Sequence, residues 1–123
     1  MAVSYDTTRE VRTTRVPRQQ VEQFLSDMRL SIDANLFIPV NRKKNLVTLS
    51  QLGITWNDAK AHIRSMTYAN YINGPESDYD PSEPDPLWVF KIKIDNDTIY
   101  VKIKICYASI GEVKALSFHF DYI

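Results

Sequence analysis

A chain of 123 residues has the size of one domain, and a second core would not fit beside the first. Lysine plus arginine equal aspartate plus glutamate at 15 each, so no overall field draws the molecule to nucleic acid; such binding must rest on where the charges lie. No window approaches about eighteen uninterrupted apolar residues, which excludes a helical membrane span, and one cysteine with two histidines gives no recognised metal-ligand spacing.

Residues 1–16 carry Arg9, Arg12 and Arg15 but no apolar stretch of the secretory kind, and read as a flexible basic arm ahead of a single domain over 17–123. From Pro17, a good first-turn residue, Val21, Phe24, Leu25, Met28 and Ile32 recur at helical spacing and predict a helix to about Asp33. Phe37, Ile38 and Val40 form a short apolar run broken by Pro39, an edge strand at best. Asn41 reads as the N-cap of a second short helix, with Leu46, Leu49 and Leu52 inward and Gly53 as its stop. Thr55-Trp56-Asn57-Asp58 has the spacing of a capping box. It opens a third helix with Trp56, Ala59, Ile63 and Met66 inward, and Thr67 to Ile72 reads as one more turn before Gly74-Pro75.

Asn73 to Pro86 is loop by composition, with Pro75, Pro81, Pro84 and Pro86 among the acids Glu76, Asp78, Asp80, Glu83 and Asp85. The period then switches to two. Leu87 to Ile94, Thr98 to Tyr107 and Val113 to Tyr122 alternate, joined by Asp95-Asn96-Asp97 and a turn around Gly111. The expected fold is α+β, with two to three N-terminal helices packed on a three-stranded antiparallel sheet.

Alternation sorts the side chains by face. Trp88, Phe90, Ile92 and Ile94 share one side with Ile99, Val101, Ile103, Ile105, Leu116, Phe118 and Phe120. The other side carries Lys91, Lys93, Tyr100, Lys102, Lys104, Cys106, Ser117, His119 and Asp121. Lysines on such a face are a common device for keeping a sheet soluble. The same lysines beside a phenol and an imidazole also suit a phosphate, with the imidazole able to give or take a proton near neutrality.

The acid-rich loop reads as a solvated connection or as a lid beside the basic face. A hard-cation site at Glu76, Asp78 and Asp80 is disfavoured, because the EF-hand pattern is absent and the prolines argue for a rigid spacer. His62 falls opposite the inner stripe of the third helix, on the surface. The lone Cys106 cannot form an internal disulfide, which fits a reducing, cytoplasmic setting, and it has no activating neighbour in sequence.

The stretch Leu52-Gly53-Ile54-Thr55 is followed by Tyr71-Ile72-Asn73-Gly74-Pro75-Glu76, then by Asp78 and Asp80. Leu87-Trp88-Val89-Phe90, Ile99-Tyr100-Val101-Lys102-Ile103-Lys104 and Leu116-Ser117-Phe118-His119 come after it. In order and approximate spacing this set, from about residue 37 to 122, resembles the MqsR-type toxins of bacterial toxin–antitoxin systems. The resemblance implies a RelE-like microbial ribonuclease fold and an mRNA interferase that cleaves by metal-independent attack of the RNA 2′-hydroxyl. It also implies a cognate antitoxin as partner, with no metal or cofactor. The family's tyrosine-x-lysine falls on Tyr100 and Lys102, and its basic or imidazole residue near the end of the last strand falls on His119; these three are the expected catalytic residues. Lys91, Lys93 and Lys104 are expected to bind RNA. The chain departs from the family's compact prototype in having Asn73 or Gly74 where a lysine stands and Val89 where a glutamine stands. A second reading of the same face is a non-catalytic RelE-like module, encoded by a phage or mobile element, that binds RNA or a protein.

Overall fold

The computed structural model describes residues 15–80 and 82–122; most of the expected N-terminal arm lies outside them. Three helices, α1 (Arg18–Asp33), α2 (Lys43–Leu52) and α3 (Trp56–Arg64), precede most of the sheet. The strands are β1 (Phe37–Pro39), β2 (Tyr71–Glu76), β3 (Leu87–Ile94), β4 (Asp97–Ile105) and β5 (Val113–Phe120), in the order β1-β5-β4-β3-β2. The fold is α+β, as expected, but the sheet has five strands and is mixed. β1 adds to β5 in parallel through Phe37 opposite Val113, and β2 adds to β3 antiparallel.

The helix-forming patterns act as read. Val21, Phe24, Leu25, Met28 and Ile32 bury one face of α1, and Ala59, Ile63 and Met66 bury one face of α3 and its end. Both seat on the apolar side of the sheet, where Phe90, Ile92, Ile99, Val101, Ile103, Phe118 and Phe120 complete a single core. Thr55 and Asp58 close the capping box reciprocally, the threonine hydroxyl accepting from the Asp58 N–H at 3.2 Å. Gly53 ends α2 at φ 70°, the left-handed region that favours glycine.

α2 departs from its expected orientation. Leu46 is 45% exposed, while Asn45 and Thr48 are fully buried beside Leu49. Beyond Ala115 no strand among the described residues covers the outer edge of β5, and α2 takes the strand's place. Asn45 Oδ1 accepts from the Phe118 N–H at 2.9 Å, and its amide nitrogen donates to the carbonyls of Leu116 and Val40. Thr48 Oγ1 accepts from the Phe120 N–H at 3.1 Å. A bare strand edge needs hydrogen-bond partners more than it needs methyl groups, so the polar side of α2 turns inward. Asn41 is not the N-cap, which is Arg42; its side chain instead accepts from the Trp56 indole N–H at 2.9 Å.

Of the turn expected over Thr67 to Ile72 only a 3-10 turn, Tyr68–Asn70, forms; Tyr71 and Ile72 instead open β2, and Asn73–Glu76 is strand rather than loop. β2 tolerates a glycine and a proline because it is an edge strand with two register irregularities. Gly74 sits at φ 121°, and a Cβ there would lie 2.8 Å from the Leu87 carbonyl oxygen and 2.9 Å from the Trp88 Cα. Gly74→Ala should therefore cost about 2 kcal/mol or more through backbone strain and overlap with β3. Urea denaturation reads this directly; an unchanged midpoint would show that β2 is not pressed against β3 at this position.

One residue of β5 decides which way its second half faces. Ile103 pairs with Ala115 but Lys102 pairs with Ser117, so Leu116 is an extra residue, a β-bulge. Val113 and Ala115 face the core before it; Phe118 and Phe120 face the core after it. The expectation that Leu116 shares the core side is corrected accordingly: it is half-buried at the bulge, and Ala115 fills the core position.

Candidate nucleic-acid interface

The bulge turns Ser117 and His119 to the side of the sheet away from the helices. There the antiparallel register lines up residues in rows across three strands. Lys91, Tyr100 and His119 form one row, and Val89, Lys102 and Ser117 form the next. Tyr100 and His119 stack, with ring centroids 5.4 Å apart and planes at 25°. The Lys102 ammonium lies 5.9 Å from the centroid of the Tyr100 ring, within the range of a cation–π contact. Lys91 pairs with Asp121 at 3.1 Å, a partly exposed contact that holds the amine beside Tyr100 without burying it.

His119 Nδ1 is 2.9 Å from the Phe120 carbonyl oxygen. A carbonyl only accepts, so Nδ1 carries the proton in that bond, and in the neutral ring Nε2 keeps its lone pair. Tyr100 is half-buried. Burial first, and the nearby Glu76 carboxylate second, push its hydroxyl above the usual phenol range, so it holds its proton at neutral pH. The stacked pair thus offers one protonated group and one acceptor, differentiated by their surroundings.

Arg42 belongs to this surface and was not picked out by alternation. It stands at the start of α2, and its guanidinium reaches the Ser117 hydroxyl at 3.5 Å, beside the row that carries Lys102. The helix that caps the edge of β5 delivers it there. The exposed run Arg42-Lys43-Lys44 was the only signal in the sequence.

Lys104 is placed otherwise than expected. It is 1% exposed and roofed by the acid-rich loop, donating to Asp78 at 3.2 Å and also to Glu83. Burial alone lowers its pKa, but the hydrogen bonds it donates to Glu83 and Asp78 outweigh that and raise it, so it stays charged. Asp85 fixes the far end of the loop by accepting from the Ala108 N–H at 3.2 Å. The loop therefore covers the end of the face that holds Lys104, while Lys91, Tyr100, Lys102 and His119 stay partly exposed. Lys93 is exposed, one step along β3 from Lys91.

The remaining chemistry-bearing residues lie apart from this arrangement. Cys106 is buried, and burial, then Glu112, push its thiol up, away from the thiolate form. His62 is exposed on α3. Asp78 and Asp80 are committed to Lys104 and to Ser82, and among the described residues no group of three or more His, Cys, Asp or Glu converges to hold a metal. No helix among the described residues is long and apolar enough to cross a membrane. Compared with family models, curated proteins and solved structures, the chain matches none.

Proposed function

We propose that this chain is an MqsR-type mRNA interferase with a RelE-like ribonuclease fold, acting on RNA in the cytoplasm and neutralised there by a cognate antitoxin. The observation that carries the reading is the stacked Tyr100–His119 pair on the helix-free face, flanked by Lys91, Lys102 and Arg42. Metal-free cleavage needs a base at the 2′-hydroxyl, a proton donor at the departing 5′-oxygen and cations around the phosphorane. His119 supplies the base through Nε2: it takes the 2′-hydroxyl proton as that oxygen bonds to phosphorus. Tyr100 supplies the donor: its hydroxyl gives up its proton as the P–O5′ bond breaks, leaving a 2′,3′-cyclic phosphate and a free 5′-hydroxyl. Lys91, Lys102 and Arg42 stabilise the charge gathering on the non-bridging oxygens, the role preorganised cations perform in low-dielectric sites. Lys93 extends the cationic track along β3 for the neighbouring phosphate.

The test is cleavage of RNA by the purified chain in chelator, with Tyr100→Phe alongside. The substitution removes one hydroxyl and little area. It should lower the rate by about 100-fold or more and leave affinity for a non-cleavable RNA within about twofold. Cleavage that requires an added divalent metal, or full activity in Tyr100→Phe, sinks the mechanism. RNA bound without cleavage by the native chain would instead favour a non-catalytic module.

A further inference from the structure

We infer that Tyr79 is a stacking platform for an unpaired base of the bound RNA, held at the border of the Tyr100–His119 site by the acid-rich loop. The inference rests on the ribonuclease reading and deepens it, because a base can stack there only if the strand is single.

Tyr79 is 96% exposed, the most exposed large hydrophobic side chain among the described residues. Among the described residues the other two well-exposed tyrosines have structural work: Tyr107 donates to Asp27 at 2.9 Å, and Tyr122 stacks on Phe120 at 5.3 Å. The backbone on both sides of Tyr79 is fixed by its neighbours' carboxylates. Asp78 accepts from the Asp80 N–H at 3.0 Å and from buried Lys104, while Asp80 accepts from the Ser82 N–H at 2.9 Å and its hydroxyl at 2.7 Å. A rigid aromatic with two side-chain torsions thus projects into water from an anchored loop. Asp78, its neighbour in the chain, holds Lys104, which lies on β4 two residues beyond Lys102. Proteins that grip single strands pair a cationic track with such a ring, because every base has a face to stack and few side chains lose so little freedom in doing so. Here the cations lie on β3, β4 and α2, and the ring stands on the loop beside them.

The experiment measures binding of the full chain to a 2′-O-methyl oligouridylate of roughly twelve nucleotides, which lacks the attacking hydroxyl, and to an abasic strand of equal length. Tyr79→Ala should weaken the oligouridylate about 5- to 100-fold, and Tyr79→Trp should hold or tighten it. On the abasic strand all three proteins should bind alike. Oligouridylate affinity unchanged by Tyr79→Ala overturns the inference and leaves the ring to a protein partner; an equal loss on the abasic strand overturns it in favour of a backbone contact. If the native chain neither binds nor cleaves RNA, the ribonuclease reading itself fails and takes this inference with it.

Discussion

His119→Ala is expected to slow RNA cleavage by about 10²–10⁴-fold, the usual cost of removing one partner of an acid–base pair, with the fold intact. The fold survives because β5 is held by its backbone pairing with β4 and by Asn45 and Thr48 of α2, not by the imidazole. What is lost is the acceptor at Nε2, and with it the stack on Tyr100. Induced expression in a bacterium gives a second measurement of the same substitution. The native chain should arrest growth and the variant should not; equal growth for both would count heavily against a toxin.

The second large effect falls on stability, at the roof of the basic face. Replacing Asp78 with Asn and Glu83 with Gln together should cost about 3 kcal/mol, since it strands the ammonium of Lys104 in a site that is 1% exposed. Glu83 is about one-third exposed, so most of that cost comes from Asp78 and from the loop opening to hydrate the amine. Denaturant unfolding measures it, and a loss below about 1 kcal/mol would show that the loop lifts freely. The pH dependence has a definite sign. Hydrogen bonding from the Asp80 N–H, reinforced by Lys104, lowers the Asp78 pKa below its ordinary 3.8. Its contribution is therefore complete above pH 3.8 and lost as pH falls through the lowered value. The Lys104 pKa is raised above 10.5, so its contribution is complete below pH 10.5 and lost as pH rises through the raised value. Protection of the loop amides at 77–80 and 82–85, taken relative to their intrinsic exchange rates, should fall at both extremes and be flat between them.

The two long strands were legible because nothing interrupts them: Phe90, Ile92, Ile99, Val101 and Ile103 alternate against Lys91, Tyr100 and Lys102, and each lands on the side the pattern assigns. β2 was hidden by its own contents, since Gly74 and Pro75 signal a turn wherever the neighbouring strand is not already known. Leu116 misled for a subtler reason. It is apolar and two residues from Phe118, so it passes as a core residue, and only the register with Ile103 and Lys102 reveals the insertion. The polar side of α2 was unreadable too, because Asn45 and Thr48 answer to a strand edge more than sixty residues away, and Arg42 reaches Ser117 by the same tertiary route. The acids over Lys104 were visible as a cluster, but charge alone could not say which lysine they would claim.

The bulge makes the orientation of His119 a matter of parity. Counted in twos from Val113, an unbroken strand would send Ser117 and His119 into the oily interior and push two phenylalanine rings out into water. Residue identity alone is therefore not what the helix-free face demands of β5; the sequence separation from Val113 to His119 must stay even while the pleat skips one beat. Shortening that interval by a single residue would leave every chemical group present and aim the decisive one the wrong way, or else drag the whole strand out of step with its neighbour.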